Sequence, residues 1–244
     1  MKPTRVRLEV AANSLASALA AQAGGADRVE LCENLGEGGC TPSYGSLAMT
    51  RERLRIPLYV LIRPRAGDFV YDTLERDTML RDIEMCVRLG CDGIVIGALT
   101  AQATVDIELC RELMLAAGPL GATFHRAFDV ARDQHEALED AAALGCERVL
   151  TSGARASAME GAETIAGLLQ RACGRIRVMA GAGVTPANVR ELVRRSGIDE
   201  VHASARSLCA TSMNLRSEPV PGLAPEHWRS DAAIVRALRE SLES

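Results

Sequence analysis

Gly25-Ala26-Asp27-Arg28-Val29, Gly90-Cys91-Asp92-Gly93-Ile94, Gly145-Cys146-Glu147-Arg148-Val149 and Gly197-Ile198-Asp199-Glu200-Val201 repeat one local pattern. Each runs from a glycine through one small or apolar residue and a short polar step into β-branched residues. The glycine supplies the left-handed conformation that closes a helix, and the polar step leads into a strand. The four helix-to-strand junctions lie roughly 50 to 65 residues apart, about twice the ~30 residues of one strand-helix unit. One further strand and two helices therefore fit between successive junctions, which gives eight strands.

The junction strands fall at 28–32, 93–97, 148–152 and 200–204, and the alternate strands at 6–10, 57–62, 121–125 and 177–180. Helical periodicity fills the gaps, for example over 14–23, 77–89, 106–117, 135–144 and 187–194. The expectation is an α/β fold, a single (βα)8 TIM-type barrel spanning residues 1–244. An irregular Ser/Pro-rich loop at about 206–230 precedes a last helix from Asp231. An open Rossmann-type sheet is the competing architecture, but no Gly-x-Gly-x-x-Gly follows the first strand, and no nucleotide cofactor is expected.

Composition agrees with one such domain. The 244 residues are 48% hydrophobic but only 3% aromatic, so aliphatic side chains must build the core. A net charge of -4 provides no basic field for nucleic acid or anionic lipid. The first apolar stretch is broken at Glu9, and no later one is long enough to cross a bilayer. Eight cysteines without an export signal point to reduced thiols in the cytoplasm, and Ala-rich apolar helix faces to a homo-oligomer.

In a parallel barrel, strand side chains alternate between lumen and helix layer, and chemistry gathers at the C-terminal ends. With Val29, Leu31, Val201 and Ala203 facing the helices, Arg28, Glu30, Cys32, Glu200, His202 and Ser204 turn inward. Glu9, Arg63 and His125 reach the same end from strands one, three and five. Glu9, Glu30, Arg63, His125 and His202 thus form a candidate catalytic group, suited to acid-base chemistry or to a plain buried ionic layer. Gly181 and Gly183 after strand seven, with Ser204 and Arg206 after strand eight, form a candidate phosphate or anion site where barrels often hold one.

Several ordered stretches resemble one family. They are Glu30-Leu31-Cys32, Glu37-Gly38-Gly39-Cys40-Thr41-Pro42-Ser43-Tyr44-Gly45, Arg63 to Tyr71, Thr123-Phe124-His125-Arg126-Ala127-Phe128-Asp129, Arg148 to Gly153 and Glu200 to Arg206. Together they are similar to the CutC family of TIM barrels, and that resemblance implies copper homeostasis and copper binding. Three positions depart from the family pattern: Val10-Ala11-Ala12 replaces a frequent cysteine, Ala66 a frequent glycine, and Cys40 stands where cysteine is unusual.

Cu(I) prefers soft thiolate and thioether ligands. Of the eight cysteines only Cys32, Cys40 and Cys209 belong to the mouth in a barrel arrangement, with Met213 as a further thioether, whereas Cys91 and Cys146 plug the opposite end. Two functions remain open: a metal-handling protein binding Cu(I), and an enzyme acting on a small anionic or phosphorylated metabolite. The physical reading favours the enzyme, with Arg63 and Arg206 holding negative charge, His125 moving a proton, and Glu30 or Glu9 acting as base.

Overall fold

A computed structural model describes residues 5–214 and 224–243. Eight parallel strands close on themselves: β1 (Arg7–Ala12), β2 (Arg28–Leu31), β3 (Leu58–Leu61), β4 (Gly93–Ile96), β5 (Gly121–Phe124), β6 (Arg148–Thr151), β7 (Arg177–Ala180) and β8 (Glu200–Ala203). Strand β1 pairs with both β2 and β8, with Glu9 opposite Arg28 on one side and His202 on the other. The expected α/β barrel is therefore the fold, and the open sheet is not.

Around it run α1 (Leu15–Ala23), α2 (Tyr44–Arg53), α3 (Thr73–Leu89), α4 (Ile107–Ala117), α5 (Gln134–Ala143), α6 (Ala162–Ala172), α7 (Val189–Ser196) and α8 (Ala232–Glu243). Local chemistry sets their ends. Asp72 and Glu75 form a reciprocal capping box at the start of α3, and Gly90 closes it in the left-handed region. The other junction glycines, Gly25, Gly145 and Gly197, also have positive φ. The polar step has its own work, since Asp27 accepts a hydrogen bond from the Leu8 amide and Asp92 one from the Leu58 amide, both at 2.8 Å. Each carboxylate thereby satisfies an amide at the start of the preceding strand.

The apolar core has two compartments. The large one, between sheet and helices, takes Leu8, Val29, Ile94, Phe124 and Val201. The small one lies in the lumen and consists of Cys32, Tyr59, Leu61 and Val95. Tyr59 fits there because strands β4 and β5 begin with glycine: a Cβ at Gly93 would meet its ring at 2.3 Å, and one at Gly121 its hydroxyl at 2.3 Å.

The stretch at 206–230 is not irregular throughout. It carries an antiparallel ribbon of β9 (Arg206–Cys209) and β10 (His227–Ser230), while residues 215–223 lie outside the described residues. Arg206 stacks on Trp228 at 4.8 Å, a pairing between strands that local sequence does not reveal.

Candidate active site at the barrel mouth

The strand ends open on a cavity of about 570 Å³. Glu30, Cys32, Arg63, His125, His202, Gly183, Ser204 and Arg206 all line it, whereas Gly181 does not, its α-carbon being packed between Leu150 and His202. Asp27 and Glu147 line a different cavity, at the other end of the strands. This is the polarity that a parallel barrel requires.

The inward residues separate into two groups. In the first, His202 bridges two carboxylates, with Nδ1 2.7 Å from Glu9 Oε1 and Nε2 3.4 Å from Glu30 Oε2. Arg28 donates from below to Glu9 and, at 3.0 Å, to Glu200. Burial alone would raise the Glu9 pKa, but the Arg28 charge and His202 outweigh it and hold this carboxyl well below the usual range. Glu30 lacks such a partner, and burial pushes it up to about 7, against the pull of His202. Burial also works against a charged His202, but Glu30 and Glu9 prevail and raise its pKa.

The second group is Arg63, His125 and Phe69. Arg63 donates to the carbonyls of Glu37, Gly39 and Gly67 at 2.7 to 3.0 Å, so most of its guanidinium pins the β2 and β3 loops. His125 Nδ1 accepts from the Ala127 amide at 3.1 Å, which leaves the proton on Nε2. Burial first, then the Arg63 charge, lower its pKa to about 3. A neutral imidazole is a fixed donor at ordinary pH, a different role from the proton transfer expected of it. Gly97 makes the room, since a Cβ there would lie 2.5 Å from the ring. Arg63 Nε and His125 Nε2 are both buried without a hydrogen-bond partner among the described residues. Phe69 lies over both, 5.0 Å from the Arg63 guanidinium carbon and 5.0 Å from the His125 ring centre.

Loops six, seven and eight share a further property. Ala154, Ala182 and Ala205 all have positive φ although none is glycine, and Gly183 has φ 69°. Alanine is unfavourable in that region, so the strain must be held by surrounding structure, as at many ligand sites. Sequence reading missed these alanines, which have no local signature. It missed Asp129 as well, whose carboxylate gathers the amides of Ser152 and Ala154 and the Thr151 hydroxyl to shape loop six.

Among the described residues, the one group of three or more His, Cys, Asp or Glu donors within 4.8 Å of each other is Glu9, Glu30 and His202. Cys32, Cys40 and Cys209 do not form such a group. Cys32 is buried, and burial, with the Glu30 charge adding to it, raises its pKa well above the usual thiol range. A protonated thiol is a poor Cu(I) ligand, and the Glu-Glu-His group offers hard donors already engaged by Arg28 and by one another. The residues present do not fit a preformed Cu(I) seat.

Residues 6–207 match the model of the CutC family. The chain is 58% identical over 236 residues to family protein CutC of Xanthomonas axonopodis pv. citri (strain 306), covering 97% of this chain and 98% of that one. Against family protein CutC of Pasteurella multocida (strain Pm70) identity is 46%, covering 98% and 99%. A solved CutC structure from Streptococcus agalactiae, designated for copper homeostasis, aligns with TM-score 0.79 at 35% identity, covering 82% of this chain and 98% of that one. Phosphoribosyl anthranilate isomerase from Thermotoga maritima aligns at TM-score 0.60 and 16% identity over 98% of each chain, a likeness of fold alone.

Proposed function

The chain belongs to the CutC family, and on that premise we propose that its barrel mouth is the active site of an enzyme that moves a proton on a small anionic metabolite. The observation that carries this reading is Glu30: a buried carboxyl with its pKa raised to about 7, beside His202 and in the wall of an open cavity. A group that titrates near the working pH both takes and returns a proton, which is the requirement of a general acid-base. Glu9 and Arg28 position His202, which in turn orients Glu30. His125 Nε2 and Arg63 Nε supply donors for a carbonyl or carboxylate oxygen once Phe69 is displaced. Arg206 and the backbone of loops seven and eight take the anionic end.

The test is isotope exchange. Incubated with a metabolite extract in deuterated water, the protein should label or convert one anionic compound detected by mass spectrometry, and Glu30→Gln should lower that rate by about 10²-fold or more. An extract left unchanged by the wild-type chain would refute the reading.

Copper homeostasis through Cu(I) binding is the second reading. It is favoured by the Streptococcus relative's designation and by Cys32 in the cavity wall, next to the bridge between Glu33 and Cys40. It requires Cys40 and Cys209 to move toward Cys32. In competition with a Cu(I) chelator, joint replacement of these three should abolish tight binding while replacement of Cys91 and Cys146 leaves it. Equal losses from both sets would mean unspecific thiol chemistry. Eight free cysteines and the absence, among the described residues, of a helix able to cross a membrane support a reducing, cytoplasmic setting. Exposed Leu74 and Leu115 support self-association.

A further inference from the structure

We propose that the N-terminal end of the barrel is a second binding site, for a compact phosphate-class anion carrying two or more charges. A cavity of about 650 Å³ opens there, with Arg5, Arg7, Arg28, Arg148 and Arg177 in its wall. Only two wall carboxylates oppose these five guanidinium groups, and both are engaged. Asp27 is bonded by Arg5, by Arg239 and by the Leu8 amide. Glu147 accepts from the Tyr59 hydroxyl at 2.6 Å and pairs with Arg148 at 3.0 Å. Behind the wall the buried carboxylate of Glu200 collects Arg28 at 3.0 Å, Arg148 at 2.9 Å and Arg177 at 2.7 Å, and Arg28 also donates to buried Glu9. Within the wall five guanidinium groups stand against two carboxylates, and Glu9, Glu200 and Glu243 offset part of that excess from behind and beside it.

The guanidinium groups are also held in place with donors to spare. Arg28 and Arg148 lie over the Tyr59 ring, their central carbons 5.0 and 5.1 Å from its centre. Their hydrogen bonds run through Nε and one terminal nitrogen each, and Arg177 uses Nη1 alone. Arg28 Nη1, Arg148 Nη2 and Arg177 Nη2 are thus left with no acceptor among the described residues. All three residues line the cavity. A merely structural ionic layer would close the space and pair its donors; this one leaves a cavity lined by preorganised forks, the geometry that grips phosphate oxygens. The site lies at the opposite end from the mouth and shares with it only Arg28, which the test below leaves in place, so binding here and activity there can fail separately.

The probe is pyrophosphate, titrated into the full chain by calorimetry at low ionic strength. Arg7 and Arg177 are half-exposed, with side-chain exposures of 51% and 45%, and their joint replacement by alanine should weaken binding at least tenfold. Arg206→Ala, at the mouth, should leave this binding in place, and added salt should weaken it. If the double variant does not fold, Arg177→Glu alone should give the same loss. Absence of wild-type binding, or binding that survives the replacements at Arg7 and Arg177, would overturn the proposal.

Discussion

Glu30 and His125 share one cavity, and burial moves them in opposite senses because it always disfavours the charged form. The carboxyl rises to about 7 and the imidazole falls to about 3. For Glu30 the folded pKa lies above the unfolded one, so its relative stabilisation is complete below about pH 4.5 and is lost as pH rises through 7. His202, also raised, acts in the same direction. His125 does the reverse: its contribution is complete above about pH 6.5 and is lost as pH falls toward 3. Glu30→Gln should therefore leave stability at pH 4.5 nearly unchanged and raise it progressively relative to the wild type as pH goes from 4.5 to 8. Urea unfolding of both proteins across pH 4.5 to 8 measures this, and a difference independent of pH would reject it. Alternation along β2 and β8 was enough to turn Glu30 and His202 inward. That His125 stays neutral was not legible, because it depends on the Ala127 amide and on the space left by Gly97.

Elements were more legible than residues where a local conformational rule is strict. Gly25, Gly90, Gly145 and Gly197 must all adopt positive φ, and that requirement alone located four junctions and implied the other four strands. Helices α2 and α6 carry weaker local signals, with glycine at positions 45 and 167 inside them, and follow from the alternation of strand and helix rather than from their own periodicity. The β9–β10 ribbon was missed because its pairing, Arg206 with Ser230 and Cys209 with His227, spans distant positions and has no tight turn to announce it. The same limit applies to the site. Arg63 was correctly brought to the mouth, but its bonds to Glu37, Gly39 and Gly67 arise only when two loops fold over it, so the free anion binder expected from its charge is mostly a loop anchor.

At the scale of the whole molecule, closure between β1 and β8 leaves the lower rim to be sealed by α8, which lies beyond the residues 6–207 that match the family. Val235 sits where Gly24 lacks a side chain; a Cβ on that glycine would lie 2.4 Å from the Val235 Cβ. One turn on, Arg239 is only 7% exposed and donates to the carbonyls of Gly25 at 3.2 Å and Val6 at 2.9 Å and to the Asp27 carboxylate. A single side chain from the last helix thus joins the start of β1 to the α1–β2 junction. Arg239→Ala would leave two carbonyls and a partly buried carboxylate short of a donor, a loss of about 2–4 kcal/mol. Arg236, exposed on the same helix, serves as the control, and Arg236→Ala should change stability by no more than about 0.5 kcal/mol. In urea the Arg239 variant should unfold at a lower midpoint with an unchanged slope, since the surface exposed on unfolding is the same. Equal midpoints for the two variants would mean that α8 seals the rim by apolar contact alone. Ligand binding at the mouth should be untouched by either change, because Arg239 and the mouth lie at opposite ends of the strands.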